Sequence, residues 1–337
     1  MVRSWLVDKK TLSLSKKEFL SRSYENLVDS EKKLGENKTS LEVQHGHLMR
    51  LATYASVIVV SVLISIKTLA WFETDSVSLL SSLIDSILDS GASIVNLLAV
   101  RHALTPADKE HRFGHGKAEA LASLIQAAFI AGSGAFLLLE AAERLFRPRD
   151  ISNIETGISV MLIAIFMTLI LVGFQTYVIK KTKSLAISAD SVHYRADILV
   201  NIAVIVSLIL SVHLNWTLAD PIFALLIIFY MAMGAYKISS QALNVLMDRE
   251  FPDEDRNRIK AIAESHEKVL NVHDMRTRSS GATSFIQFHA EMPKHISLAE
   301  AHEIADEVMY MVEKAFPNTE VLIHQDPDGV EERRDEV

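Results

Sequence analysis

The chain has 337 residues, 49% of them hydrophobic, a formal net charge of −8 and no cysteine. Without cysteine, disulfides and thiolate metal sites are excluded, and His, Asp and Glu remain as ligands for any ion. The small acidic excess leaves no basic footprint for nucleic acid, and the apolar residues concentrate between Leu51 and Ala235, which favours a membrane core with soluble attachments over several soluble domains.

Residues 1–46 read as a hydrophilic cytoplasmic extension in which Lys9, Lys10, Lys16, Lys17, Lys32 and Lys33 are interleaved with acids. Its opening "MVRSWLVDKKTLSLSKKEFL" lacks the continuous apolar core and small-residue cleavage site of a secretory signal. His45 and His47 in "QHGHLMR" read as surface histidines beside a membrane rather than ligands.

Six apolar segments follow in a transmembrane domain placed at 47–240, each near the roughly 20 residues that span a bilayer. They cover 49–71, 77–100, 118–142, 154–179, 186–212 and 218–238, and the second and fifth are the most polar inside. The third carries Ala127, Ala128, Ala131, Gly132 and Gly134, a small-residue stripe suited to close helix packing. Lys and Arg set the orientation. Ten of them precede or include Arg50, the second link holds Arg101, Lys109, Arg112 and Lys117, and the fourth holds Lys180, Lys181 and Lys183. The first and fifth links hold none, with Arg144, Arg147 and Arg149 in the third as a local exception. Both termini are therefore expected in the cytoplasm.

A soluble domain is expected over 250–327, followed by a disordered tail at 328–337. "FPDEDRNRIKAIAES" has helical spacing with Pro and acids at its start. "VLNVHDMRTRSS" and "TSFIQFHAEMP" read as two strands around a turn. Ser297, with Glu300 three residues on, opens an amphipathic helix as a capping box, and "TEVLIHQDP" is a last strand. The order αββαβ gives a small α+β fold behind an all-α six-helix membrane domain.

The chemistry starts from "SLLSSLIDSILDSGASIVNLL", where Asp85 and Asp89 interrupt a spanning segment. Each acid at bilayer depth costs on the order of 3 kcal/mol. At i and i+4 they share a helix face. The fifth segment holds a second such pair, His193 and Asp197. Two helices packed through these faces present one imidazole and three carboxylates, a set that suits a tetrahedral divalent ion such as zinc. The ion, or protons in its absence, offsets the buried negative charge. Polar contacts between helices, or the lining of a wet crevice, are the plainer alternative. Asp190 is assigned to the ion's access path.

The loop "TPADKEHRFGHGKAEA" offers Asp108, His111 and His115, which could wrap one ion, but a solvated basic turn explains the spacing equally well. "GHGKA" fails as a phosphate loop, because His111 stands where the first Gly belongs and Ala118 follows the Lys. No nucleotide is expected. In the tail, His273, His289 and His324 fall on strands and His302 on the capped helix, while Asp326 follows His324 on the same strand face. Four histidines and an aspartate in one small domain favour a metal site. "HEIAD" lacks the second His of a zinc-protease helix, and no hydrolase is expected.

On these residues the chain resembles the cation diffusion facilitator family, specifically its bacterial zinc/ferrous-iron efflux type. The resemblance covers 50–328 and is carried by "SLIDSILDSGASIVNLLAVRHALTPADKEHRFGHGKAEALASLIQA", "HYRADILVN", "LMDREFPDE", "HDMRTRSSGATSFIQFHAEM" and "VLIHQDP". It implies a homodimer of six-helix protomers with metallochaperone-like cytoplasmic domains, in a bacterial inner membrane. It implies a transport site at Asp85, Asp89, His193 and Asp197 and a loop site at Asp108, His111 and His115. It also implies a binuclear cytoplasmic site at His273, His289, His302 and His324 with Asp326 bridging, and a Lys117–Asp248 pair near the dimer seam. The long N-terminal arm departs from the family pattern. So does the link "KKTKS", where many eukaryotic zinc relatives have a His-rich loop.

The expected activity is export of Zn2+ in exchange for protons, with Fe2+, Cd2+ and related ions as further cargo. Zinc is also the expected structural ion, and the expected partners are a second copy, protons and lipid. A membrane metal sensor that binds without transporting is the rival. An intramembrane hydrolase is disfavoured, because four protein ligands leave neither an open coordination position nor a general base.

Overall fold

The structure, a computed structural model, describes residues 43–74, 77–146, 154–214, 219–281 and 283–330. The expected N-terminal extension before residue 43 and the tail after 330 lie outside the described residues. The chain divides into two compact units, Gln44–Arg249 with Arg278–Thr283, and a unit built from Glu250–Thr277 and the residues from Ser284 on.

The first unit is helical: α1 (Val43–Thr74), α2 (Val77–Ala103), α3 (Lys117–Phe146), α4 (Ile154–Thr182), α5 (Leu185–Leu214) and α6 (Ala219–Leu246). Among the described residues, stretches of α1, α2, α3, α4 and α6 are long and apolar enough to cross a membrane. The remaining helix, α5, carries Asp190, His193, Arg195 and Asp197 in its first half. Large side chains such as Leu69, Phe72, Phe166 and Phe229 face outward, as lipid-facing residues do. The chain is an integral membrane protein. Helices α1 and α6 run beyond the apolar segments, to Val43 at one end and Leu246 at the other. Hydropathy marks membrane depth, whereas backbone hydrogen bonding continues the helix past it.

Helix α3 packs along α6, and α5 against α4 and α6. The seam holds Ala127 and Ile130 of α3, Ala189 and Ala196 of α5, and Ile227, Met231 and Ala235 of α6. The expected small-residue stripe needs correction. Ala127 and Gly134 are buried, but Ala128, Ala131 and Gly132 are exposed, because the helical repeat gives the packed face to Ala120, Ser123, Ala127, Ile130 and Gly134. A closer approach occurs at Gly234, where an added Cβ would stand 2.7 Å from Val192 Cγ1 of α5.

The second unit follows the order α7 (Asp253–Glu264), β1 (Asn271–Ser280), β2 (Thr283–Met292), α8 (Leu298–Ala315) and β3 (Thr319–Pro327). The sheet order is β1-β2-β3, with β2 and β3 parallel across the α8 crossover. Acids Asp253, Glu254 and Asp255 occupy the first turn of α7, where the helix dipole favours them. Ser297 Oγ accepts the Glu300 backbone N–H at 3.2 Å, as the capping sequence predicts. Ile259, Ile286, Phe288, Val308 and Val312 form the core between helices and sheet. The opposite face of β2 and β3 presents Gln287, Leu322 and His324, and the register sets His289 beside His324 and Glu291 beside Asp326.

Candidate metal sites

Among the described residues, three groups of ligand-type side chains bring their donor atoms within 4.8 Å of one another: Asp89, His193 and Asp197; Asp108, His111 and His115; and His273, His289 and Asp326.

The first group joins α2 to α5 inside the helical unit. His193 Nε2 stands 3.0 Å from Asp89 Oδ1 and 3.6 Å from Asp197 Oδ2. The imidazole is buried, and neither ring nitrogen makes an aligned hydrogen bond despite these distances. A buried imidazole nitrogen aimed between two carboxylates from two helices is the geometry a divalent cation completes. Asp85 lies one turn before Asp89 on α2, exposed and outside this group. Asn201 donates to the Asp197 backbone carbonyl at 2.9 Å, and Tyr194 and Ser93 share a buried 2.9 Å hydrogen bond that ties α5 to α2 beside the acids.

Asp190 faces elsewhere. Its Oδ2 accepts from Ser56 of α1 at 2.7 Å and from Gln175 of α4 at 2.8 Å, a buried polar node across three helices. One residue that the sequence pattern does not single out is tied to α2 beside Asp85 and Asp89 in sequence. Lys67 of α1 donates to the Ser82 carbonyl at 3.1 Å and to Ser86 Oγ at 2.7 Å.

The second group is built by a non-helical loop, as its glycines predict; Gly114 has φ 77°. Asp108 Oδ1 accepts the backbone N–H of His111 at 2.6 Å and of Glu110 at 2.9 Å. The His111 N–H beside Asp108 holds its carboxyl below the usual carboxylate range. Asp108 Oδ2 lies 3.4 Å from the buried His115 Nε2, whose Nδ1 faces the Thr105 carbonyl at 3.2 Å. His111 Nδ1 is 3.4 Å from Asp108 Oδ1. His102, at the end of α2, sets its ring 4.6 Å from that of His115.

The third group centres on Asp326, whose side chain is 7% exposed. Its Oδ2 lies 2.8 Å from His289 Nδ1 and 3.5 Å from His273 Nε2, and its Oδ1 lies 3.2 Å from His324 Nε2. One carboxylate thus turns each oxygen toward a different set of imidazoles, the arrangement a bridging ligand needs. Three nitrogens and a carboxylate with no thiolate fit zinc and its borderline neighbours. His302 stands apart on α8, exposed, with Nε2 3.5 Å from Asp306. Glu291, 3.3 Å from His273 Nδ1, joins the cluster without having been expected. The last expected pair, Lys117 Nζ and Asp248 Oδ1, lies at 2.8 Å.

Comparison with known proteins gives two family matches: the cation efflux transmembrane domain over residues 53–247, and the cytoplasmic domain of cation efflux proteins over 251–328. The cation-efflux pump FieF of Shewanella oneidensis is 46% identical over 288 residues, covering 86% of this chain and 97% of that protein. FieF of Klebsiella pneumoniae is 46% identical over 286 residues, covering 85% and 95%. The metal-bound C-terminal domain of the CzcD transporter from Thermotoga maritima is 30% identical, covering 23% of this chain and 93% of that domain, with a TM-score of 0.23.

Proposed function

The chain belongs to the cation diffusion facilitator family, and from that premise we propose that it exports Zn2+ from the cytoplasm in exchange for protons. Cd2+ and Fe2+ have compatible ligand chemistry and are proposed as further cargo. The observation that carries the reading is the convergence of Asp89 and Asp197 on the buried His193 Nε2, from two helices of a membrane-embedded unit. Asp85 is proposed as the fourth ligand, supplied by rotation of the outward side chain one turn from Asp89.

The cargo ion enters as substrate. In its absence the carboxylates hold protons or lean on neighbouring cations, and arrival of a divalent ion displaces those protons. Protons from the opposite face then compete the metal off. Rocking of α2 against α5 gives the alternating access that a midplane site requires. The assembly is proposed to be a homodimer in a bacterial inner membrane, with both termini cytoplasmic. Asp326 with His273, His289 and His324, joined by His302 from α8, is proposed to hold structural zinc in the cytoplasmic unit. Asp108, His111 and His115 are proposed to hold a third ion at the loop. Metal there would cross-link strands or loop segments and stiffen them.

Reconstituted proteoliposomes test the proposal. An imposed proton gradient should accelerate zinc movement, and Asp89→Ala should abolish it. Zinc flux that ignores the gradient, or that survives Asp89→Ala, contradicts it. A sensor built on the Asp326 cluster alone would bind zinc with no flux in the same assay.

A further inference from the structure

A lysine inside a spanning helix is expensive and persists where it faces the bundle and meets opposite charge. Lys67 does both. It lies seven residues before the end of α1, and its ammonium crosses to α2 rather than extending to the membrane surface. Two of its three donors have identified acceptors there, the Ser82 carbonyl at 3.1 Å and the hydroxyl of Ser86 at 2.7 Å. Ser86 is buried and sits between Asp85 and Asp89 in the α2 sequence, so this tether holds the ammonium against the helix that carries the acid pair. Asp197, Asp89 and Asp85 are the acids whose charge favours the buried ammonium, so its field reaches both helices of the site.

Charge counting shows what this cation does. Asp85, Asp89 and Asp197 carry three negative charges when ionised. A divalent ion supplies two positive charges, leaving the loaded site at −1. The tethered ammonium brings it to zero. We propose that Lys67 is a built-in counter-cation of the transport site, a positioning residue that neutralises the metal-loaded state and lowers its hold on the ion enough for release. It does not ligate the metal. It acts through the field it imposes on the three carboxylates, in a setting of lower dielectric than water, where a unit charge outweighs an exposed ion pair.

The inference rests on the transport reading, and its test separates the two. Zinc uptake into proteoliposomes and zinc binding to the purified full chain would be measured for the parent, Lys67→Gln and Lys67→Arg. Loss of the charge should tighten zinc binding on the order of tenfold. It should lower KM with it and reduce kcat, because the ion leaves a net-negative site more slowly. Lys67→Arg keeps the charge and should behave as the parent. Ser86→Ala removes the hydroxyl anchor and should shift KM in the same direction by less; it carries the test if Lys67→Gln fails to insert. A parent that moves no zinc overturns the transport reading itself. A transporting parent whose Lys67→Gln and Ser86→Ala variants keep KM and kcat within twofold overturns the counter-cation. So does weakened binding in both Lys67 variants, since that marks a packing role that the charge does not serve.

Discussion

Glu119 on α3 accepts the backbone N–H of Ala186 at 3.1 Å, so the first turn of α5 is capped by a side chain 67 positions earlier in the chain. The same carboxylate accepts a hydrogen bond from the Ser184 hydroxyl, and Ser184 Oγ in turn accepts the Ile187 N–H at 3.2 Å. Helix N-termini leave backbone donors unsatisfied, and here a buried acid from the neighbouring helix supplies the acceptor. The cap fixes where α5 begins, eight residues before His193.

Removing that acceptor should therefore loosen α5. Glu119→Ala leaves buried N–H groups unpaired, a cost of about 1–3 kcal/mol, and should lower the thermal midpoint of the detergent-purified protein. Glu119→Gln keeps one acceptor oxygen and should fall between. An unchanged midpoint in Glu119→Ala would contradict the cap.

Lys117 and Asp248 are each about one-third to two-fifths exposed, at 35% and 41%. A pair in that setting contributes about 0–1 kcal/mol to folding. Lys117→Ala should leave the unfolding midpoint nearly unchanged. If the pair serves the proposed dimer seam, it should shift the monomer–dimer balance measured by light scattering, and the swap Lys117→Asp with Asp248→Lys should restore it. A large loss of monomer stability with no change in assembly would place the pair in the fold instead.

The loop carboxyl of Asp108 is held below its ordinary value of 3.8, first by the His111 backbone N–H. A lowered folded value means the ionised form is favoured on folding. Its contribution is complete above 3.8 and is lost as pH falls through the lowered value. Hydrogen exchange at the His111 amide, corrected for its intrinsic rate, should show equal protection at pH 7 and pH 5. Loss of protection by pH 5 would contradict this role for Asp108.

Asp326 turns its two oxygens to different histidines, so a single substitution should disable the whole cytoplasmic cluster. Asp326→Ala should lower the zinc stoichiometry of the purified full chain while leaving binding at the α2–α5 site intact. Full retention of stoichiometry would show that the histidines bind without it.

Residue type and period were enough to read some of this from sequence, and partner identity was not. Asp85 with Asp89 and His193 with Asp197 stood out because ligand-type residues four apart interrupt apolar runs. The order αββαβ followed from the switch between helical and alternating periods. Lys67 and Glu119 were opaque for one shared reason: their partners lie on other helices, 15 to 67 positions away. Lys67 looked like a lone charge in a span, and Glu119 like an ordinary acid at a helix start. Glu291 joined His273 only through the pairing of β2 with its neighbours. Composition alone does not give helical phase, and on α3 that phase turns Ala128, Ala131 and Gly132 outward.

The central claim is that α2 and α5 jointly cage a divalent ion. Anomalous diffraction at the zinc edge from crystals of the full chain grown with zinc tests it directly. The account predicts a peak about 2.0–2.2 Å from His193 Nε2 and from carboxylate oxygens of Asp89 and Asp197, with Asp85 turned in to complete a tetrahedron. Zinc peaks at the loop and at Asp326, with none between α2 and α5, would contradict it.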